Sequence, residues 1–422
     1  MGTGDFSMIQ SESALNRIRP RTFAVIWAVT LTLSAAPALA LDWHLDPSIT
    51  VGGLYDDNYR LDFDRTKRVS VKGAEIDAAA KFRAEGPLFR VELTPRLRST
   101  FYPGNTEEQA NDQFFDLNLQ RRWERMRFSM TGDYWRQIVL RNYLPTTDIT
   151  NGLGNSVGNP DIAPITTRNR QEFARLAPTV SFDLSPIQRL IVDTEVIDVR
   201  YAEQTAGLRQ NFKNYHASLG FGMDFSPRST GTFSVVSGLF RPDAGSNANT
   251  YGFQGQWTFN QSTVSQYYAR VGADRTSFSG GSASANSFSG GVGASRKFQT
   301  TDLFIDLTRS MTPNSGGTVV AQNELRVRLE HRFSARTAGF VAVRGIKNSA
   351  IGQTTTFSND QFVTGSVGVE YRLYRQFSMT GQYIYTNKKN DTVANAANSN
   401  SITLTLVYQP HRPAEDLPIL ND

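Results

Sequence analysis

Arginines at alternate positions of short, β-rich stretches are the residues of this sequence whose spacing suggests chemistry. Along residues 323–333, apolar side chains alternate with Arg326, Arg328, Glu330 and Arg332. A period of two places successive side chains on opposite faces of a strand. If such strands form a membrane barrel whose apolar faces meet lipid, their charged faces line its lumen. The predicted lumen-facing charges are Arg90, Arg96, Arg98, Arg122, Arg270, Arg326, Arg328 and Arg332, with Glu92, Asp116, Asp133, Asp274 and Glu330.

This charged face has two interpretations. Arginine offers planar donors to carboxylate, phosphate or sulfate, and rings of arginine in a pore favour anions. Alternatively, cross-strand ladders of arginine and carboxylate fill and stiffen the interior. The excess of arginine favours an anion-selective lumen, and the ladder stays open as the alternative.

A weak catalytic candidate is the pair His216 and Ser218, which a spacing of two puts on one strand face. The pair resembles the His-x-Ser arrangement of the outer-membrane phospholipase family, whose histidine activates a serine nucleophile. In that family the site faces the outer leaflet. Here Tyr215, Ala217 and Leu219 form the apolar face, so the pair is predicted to point into the lumen. The sequence therefore predicts a protein that is not an enzyme.

A weak metal candidate is the carboxylate pair Asp56 and Asp57 at the end of the first strand. Carboxylate oxygens suit Ca²⁺, but the spacing is not that of an EF-hand. An Asx turn, in which the side chain accepts a local backbone hydrogen bond, is the favoured interpretation. The chain has no cysteine, which excludes disulfides and thiolate metal sites. The sequence predicts no cofactor.

The first forty residues are typical of a secretory signal peptide. Arg17, Arg19 and Arg21 precede the apolar residues 23–36, and Ala38 and Ala40 provide a small-residue cleavage site. The prediction is a removed signal peptide over residues 1–40, a barrel over 41–408 and a disordered periplasmic tail over 409–422. The mean hydropathy of −0.38 argues against a bundle of membrane helices, and the net charge of +5 is too diffuse to indicate nucleic acid.

Two kinds of connection take turns along the rest of the chain, and this order predicts the fold. Tight turns are predicted at residues 85–87, 124–125, 185–186, 226–228, 260–261, 299–300, 334–336 and 375–376. Longer segments rich in Gly, Asn, Ser and Thr are found at residues 103–111, 142–167, 242–249, 277–286, 313–318, 351–358 and 388–398. Short periplasmic turns and long extracellular loops are the pattern of an outer-membrane barrel, here with about 18 strands (a range of about 16–18).

Aromatic residues gather beside the tight turns. They are Phe128, Phe182, Phe225, Phe259, Phe298, Phe333, Tyr374 and Phe377. Such residues form girdles where a membrane meets water, which favours the barrel over ordinary strand propensity.

Residues 47–58 carry a resemblance to a known family. The stretch begins at Pro47, includes Gly52 and Gly53, and ends in Tyr55-Asp56-Asp57-Asn58. It resembles the opening of a family of outer-membrane β-barrel porins encoded in bacterial exopolysaccharide gene clusters. The resemblance implies an outer-membrane protein of polysaccharide secretion. Many outer-membrane proteins end on an aromatic residue that the barrel-assembly machinery recognises. Here the last strand, residues 401–408, is followed by further residues, so the predicted assembly signal is internal, at Tyr408.

Together these patterns predict an all-β, transmembrane, antiparallel up-and-down barrel in the outer membrane of a Gram-negative bacterium. The predicted function is export or passage of an anionic exopolysaccharide, with loop 142–167 folded inward to constrict the pore. A general diffusion porin, an outer-membrane lipid hydrolase and a plugged structural barrel are the alternatives. The predicted partners are outer-membrane lipid, the barrel-assembly machinery, an anionic polysaccharide and periplasmic secretion components, without nucleic acid.

Overall fold

Eighteen β-strands make up most of the described chain in a computed structural model that describes residues 41–139, 169–204, 209–279, 284–351, 360–391 and 395–410. They are β1 Asp42–Asp56, β2 Val71–Gly86, β3 Phe89–Phe101, β4 Ala110–Arg122, β5 Met126–Val139, β6 Asn169–Ser185, β7 Gln188–Tyr201, β8 Phe212–Ser226, β9 Ser229–Pro242, β10 Ala248–Ser262, β11 Ser265–Phe278, β12 Ala285–Lys297, β13 Thr301–Asn314, β14 Thr318–Arg332, β15 Thr337–Ala350, β16 Asp360–Arg372, β17 Phe377–Asn390 and β18 Ala397–Tyr408. Two short 3₁₀ helices, Arg65–Lys67 and Thr106–Glu108, lie in loops.

The strands form one closed barrel. Each strand pairs with its neighbour in sequence. The pairing of β1 with β18 is antiparallel and joins the two ends of the sheet, with Ile49 opposite Tyr408 and Asp56 opposite Ser401. The predicted barrel of about eighteen strands is therefore confirmed, and it closes at Tyr408. The predicted signal peptide, loop 142–167 and all but the first two residues of the tail lie outside the described residues.

Alternation along each strand separates an apolar outer face from a polar inner face. On β18, for example, Ile402 and Leu404 are 57% and 55% exposed, whereas Ser399 and Ser401 are buried. An apolar outer face of this kind is unfavourable in water but suits the interior of a bilayer. A closed barrel also leaves no strand edge unpaired there.

Short turns lie at one end of the barrel and longer loops at the other, as the sequence predicts. The predicted girdle residues lie beside the short turns, and Phe225, Phe333 and Tyr374 are among the most exposed apolar side chains. By the architecture of outer-membrane barrels, the short turns mark the periplasmic end.

Two connections differ from the prediction. β10 continues through a register shift to Ser262, so its turn lies at residues 263–264, three residues beyond the predicted position at 260–261. The predicted loop 313–318 is a tight turn, because β13 and β14 continue until Asn314 pairs with Thr318. Turn-forming residues specify a reversal there, but not how far the strands extend on either side.

The sequence leaves the orientation of β7 ambiguous because both of its faces contain apolar residues. In the structure Leu190, Val192 and Val196 are exposed on the outer face, and Val199 is buried on the inner face. The pairing of β7 with β8 is continuous, so no bulge switches the faces. Val199 is apolar because it belongs to a buried cluster inside the barrel.

Candidate functional site in the barrel lumen

One wall of the lumen carries arginine side chains that solvent reaches. Arg90 of β3 is 49% exposed, and its Nε lies 3.2 Å from Glu85. Arg96, six residues farther along the same face of β3, is 43% exposed and lies 2.6 Å from Asp77. Arg122, at the end of β4, is exposed and makes no ion pair with any described residue.

Two arginines that the sequence analysis missed continue this wall. Arg127 of β5 lies 3.1 Å from Asp183 and is half-exposed. Arg175 of β6 lies 2.6 Å from Glu195 and 3.1 Å from Asp133. The alternation could have revealed both. Arg127 lies on the same face of β5 as Asp133, which was predicted to point inward, and Arg175 lies opposite Asp133 on β6. We call this set the arginine track: Arg90, Arg96, Arg122, Arg127 and Arg175.

A second group of arginines is closed off from solvent. Arg326 of β14 and Arg344 of β15 are 0% and 1% exposed and lie directly opposite each other. Arg326 binds the Asp306 carboxylate through Nε and Nη2, and Arg344 Nε donates to Glu324 at 2.7 Å. Tyr268 donates its hydroxyl to the same Asp306 at 2.6 Å. Because these guanidiniums are buried and paired, they do not face a passing solute.

The other predicted charges lie between these extremes. Arg98 pairs with Asp112 at 2.9 Å and lies over the Phe114 ring. Arg328 pairs with Glu330 at 2.9 Å. Six of the eight predicted arginines, all but Arg122 and Arg270, thus have a carboxylate within 4 Å. Glu92, another of the predicted carboxylates, is surrounded by basic groups and lies 2.8 Å from Lys81.

His216 and Ser218 face the lumen, as predicted from their parity with the exposed Tyr215 and Leu219. The Ser218 hydroxyl donates to the Asp193 carboxylate at 3.1 Å rather than to the histidine. A serine activated by histidine requires a hydrogen bond between the two side chains. The geometry therefore does not provide the nucleophile that a lipid hydrolase needs.

Asp56 and Asp57 join the first and last strands. Asp56 Oδ1 accepts hydrogen bonds from the Asn58 backbone at 2.9 Å and from the Ser399 hydroxyl at 2.8 Å. Asp57 accepts from the backbone and side-chain nitrogens of Asn400 at 2.7 and 2.6 Å. The first contact is the Asx turn favoured by the sequence, and the others fasten the seam of the barrel.

The extracellular ends of β13 and β14 fold into the lumen. β12 pairs with β13 only as far as Arg309, although β13 continues to Asn314. The tip beyond it, residues 310–320, is named the inward hairpin here. The Gln210 N–H donates to the Ser315 carbonyl at 2.8 Å, and Val319 is 6% exposed.

Aromatic side chains from distant strands receive the inward hairpin. Val319 belongs to a buried cluster whose other members come from the inner faces of β6 to β11: Phe173, Val199, Tyr201, Phe212, Phe240, Ala248 and Phe278. Trp135 stacks on Phe173 at 4.4 Å at the edge of this cluster. The hairpin thus narrows the extracellular end of the lumen, the role that the sequence assigned to loop 142–167.

A second segment, between β1 and β2, enters from another side. Leu61 is buried against Ile346, Phe362 and Ala397 on the inner wall, with Phe63 beside them. Farther along this segment, hydrogen bonds from the Thr66 side chain and backbone lower the pKa of the Asp64 carboxyl. The packing of Leu61 holds the segment against the inner wall of the barrel.

The fold and the distribution of its side chains define the class of protein. A closed antiparallel barrel with an apolar outer face, an aromatic girdle and a polar interior is the architecture of bacterial outer-membrane proteins, and eighteen strands is a porin size. The protein is an outer-membrane β-barrel of the porin-like type. Within the described residues, no helix is long and apolar enough to cross a membrane.

Known proteins add a likeness of fold. No family model matches the chain, and no curated protein matches it. Among solved structures, the chain is similar to the outer membrane protein opdK of Pseudomonas aeruginosa at 11% identity and a TM-score of 0.42, over 87% of this chain and 98% of that one. It is similar to OccAB4 of Acinetobacter baumannii at 11% identity and a TM-score of 0.44, with the same coverage. The same coverage holds for OccK2 (OpdF) of Pseudomonas aeruginosa, solved with glucuronate, at 9% identity and a TM-score of 0.44.

Proposed function

We propose that this protein is an outer-membrane channel that favours anions and passes an acidic exopolysaccharide or its fragments. The observation that carries the proposal is the arginine track on β3 to β6. Its guanidiniums remain accessible from the lumen, whereas those of Arg326 and Arg344 are buried. A series of planar, permanently charged donors suits a chain of carboxylates.

The carboxylates beside the track are consistent with passage rather than tight binding. Arg90, Arg96, Arg127 and Arg175 each already pair with a carboxylate of the wall. A carboxylate of a passing sugar would exchange with one of these at little net cost, and a pore requires sites that are weak enough to release. The resemblance of residues 47–58 to exopolysaccharide porins gives the cargo its chemical class.

A general diffusion channel is the second candidate, and the ion pairing favours it. Because six of the eight predicted arginines have a carboxylate within 4 Å, much of the positive charge of the wall is neutralised. Such a lumen would pass small solutes with little regard to their charge.

Ion selectivity in a planar bilayer tests the anion preference. Replacing Arg90, Arg96 and Arg122 by glutamine should lower the ratio of anion to cation permeability by about twofold or more, because lumenal arginines set the selectivity of a pore. Arg121→Gln is the matched control, since Arg121 is the neighbour of Arg122 but lies on the outer face, with its guanidinium over the Trp123 ring. An unchanged reversal potential in the triple variant would refute the anion preference.

Polymer block then separates the two candidates. An acidic polysaccharide should interrupt the current of the wild-type barrel, a neutral polysaccharide of equal length should not, and the block should weaken in the triple variant. Current that is indifferent to both polymers would favour the general diffusion channel. A barrel without current would be a structural barrel and would overturn both candidates.

A further inference from the structure

The outer face of the barrel is charged almost entirely at its extracellular end. Between the two ends, the outward positions of the described strands carry no Asp, Glu, Lys or Arg. At the periplasmic end only Arg121 and Arg296 face outward from strands. At the extracellular end the outward basic residues are Lys72, Arg136, Arg170, Arg200, Lys213, Arg241, Arg275, Arg309, Lys347 and Lys389, with Glu172 and Asp198.

Five of the outward positions on β13 to β17 form one straight row across neighbouring strands. Arg309 lies opposite Asn323, and Asn323 lies opposite Lys347. Lys347 lies opposite Gln361, which in turn lies opposite Lys389. We name this set the outer basic row. At about 4.8 Å between strands, it spans about 19 Å and repeats a cation about every 10 Å.

The outer basic row contains cations and amides but no carboxylate. Lys347 and Lys389 are exposed and make no ion pair with any described residue. Arg309 is held in the row by donating to the Asn323 side chain at 3.0 Å and to the Phe288 carbonyl at 3.1 Å.

Rows on the other side of the barrel differ in this respect. Arg136 lies 3.3 Å from Glu172, and Arg200 lies 2.7 Å from Asp198. Lys213 lies directly opposite the same Asp198. Glu172 and Asp198 therefore offset part of the positive charge on that side of the barrel, whereas the outer basic row contains no carboxylate.

Directly below the outer basic row, toward the membrane centre, the wall is apolar on β13, β14 and β16. Leu307, Leu325 and Val363 lie two residues from Arg309, Asn323 and Gln361 on the same face and are 48%, 40% and 46% exposed. A ligand that meets both rows must carry anionic groups above and hydrocarbon below. That combination is an acidic lipid at the surface of the outer leaflet, where this row lies.

We propose that the outer basic row binds the phosphate groups of a phosphorylated glycolipid of the lipid A type in the outer leaflet. The cations pair with phosphate oxygens, and the Asn323 and Gln361 amides donate to phosphate or sugar oxygens between them. The acyl chains lie along the apolar row below. This site is on the outside of the barrel and does not depend on what passes through the lumen.

Lipid retention by the full-length barrel tests the proposal. The probe is bis-phosphorylated lipid A, compared with the same lipid after enzymatic removal of its phosphates, and the measurement is native mass spectrometry of the detergent-solubilised barrel. The triple variant Arg309→Gln, Lys347→Gln and Lys389→Gln should lower affinity for the phosphorylated lipid by roughly tenfold to a hundredfold, since each basic group near an anionic lipid contributes on the order of 1 kcal/mol. The dephosphorylated lipid should bind both barrels weakly.

The control variant removes the same charge from the rows that contain carboxylates: Arg136→Gln, Arg200→Gln and Lys213→Gln. It should change affinity for the phosphorylated lipid by less than about threefold, because Arg136 and Arg200 already pair with carboxylates and Lys213 lies opposite Asp198. If the row variant fails to form a barrel, Lys347→Gln and its conservative counterpart Lys347→Arg replace it, with loss expected in the first and retention in the second.

Three outcomes would overturn the proposal. Equal binding of the phosphorylated and dephosphorylated lipids would show that the outer basic row does not recognise the phosphate groups. Full displacement of the lipid by millimolar inorganic phosphate would indicate a site for the free ion. A change in oligomeric mass in the row variant, with lipid binding unchanged, would indicate that a second copy of the chain covers the row.

Discussion

At the residue scale, burial decides what an arginine of the inner face does. Arg96 and Arg326 both lie on the inner face of their strands, and each pairs with an aspartate on the neighbouring strand. Arg96 is 43% exposed, so water screens its pair and a solute can compete for it. Arg326 is fully buried, so its pair with Asp306 is a structural element.

Breaking the buried pair should be costly. Arg326→Met leaves the Asp306 carboxylate buried without its main partner, and removing one member of such a pair costs about 3–5 kcal/mol. The unfolding midpoint, followed by the heat-dependent shift in gel mobility of the folded barrel, should fall sharply. The double variant Arg326→Met, Asp306→Leu should recover much of the loss, since paired charges can be replaced together.

Arg328→Met is the matched control at the next inward position of β14. Its partner Glu330 is 38% exposed, so loss of the pair should cost less than about 1 kcal/mol. Similar losses in Arg326→Met and Arg328→Met would contradict the conclusion that full burial of both partners makes the Arg326 pair structural.

At the element scale, the inward hairpin turns a sheet connection into part of the lumen. Beyond Arg309 the hairpin no longer pairs with β12, and its Val319 is buried among aromatic side chains of β6 to β11. Its turn depends on Gly317, whose φ of +81° is a conformation that side chains disfavour. A Cβ at this position would lie 3.0 Å from both the Ala244 carbonyl and Gln210 Oε1.

Substitution at Gly317 should therefore loosen the constriction. Gly317→Ala adds backbone strain of roughly 1–2 kcal/mol and crowds the docking contacts, so the hairpin should detach more often. Single-channel recording should show a higher mean conductance with more current noise. Gly104→Ala is the control, because a Cβ at Gly104 meets nothing within 4 Å. Identical traces from both variants would mean that the hairpin does not limit the current.

At the scale of the whole molecule, the barrel depends on joining residues that are far apart in sequence. β1 and β18 pair along eight residues, and the Asp56 and Asp57 carboxylates fasten the extracellular end of this seam to Ser399 and Asn400. The motif that carries the family resemblance thus has a structural role here. It closes the sheet, and closure removes the unpaired edges that a bilayer does not tolerate.

Weakening the seam should lower the stability of the entire barrel. Asp57→Ala removes both hydrogen bonds to Asn400 and should cost about 1–3 kcal/mol, because it also leaves the Asn400 donors without that acceptor. The measurement is the temperature at which the folded band disappears on a gel. Asp64→Ala, which loses only contacts within its own exposed loop, should change stability by less than about 0.5 kcal/mol. A seam variant as stable as this control would show that the backbone ladder alone closes the barrel.

The sequence by itself determined the fold class, a strand number of about eighteen and the face on which most charges lie, although it left the orientation of β7 open. Alternation is a local property, because a period of two fixes the orientation of every second side chain wherever the strand is placed. For that reason the inward placement of Arg90, His216 and Arg326 could be predicted without knowing any neighbour. The order of short turns and long loops added the polarity of the barrel in the same way.

Only the tertiary structure decided which inward residues meet solvent. Arg326 is buried and Arg90 is exposed because of what lies over each of them, and the contacts that cover an inner wall join distant segments. The inward hairpin shows why: Gly316 and Gly317 read locally as a loop, yet Val319 packs on β6 to β11. The apolar inner side of β7 has the same cause. The pattern along one strand does not show which distant segments contact it. The accessible arginines and the constriction can therefore be identified only from the closed barrel.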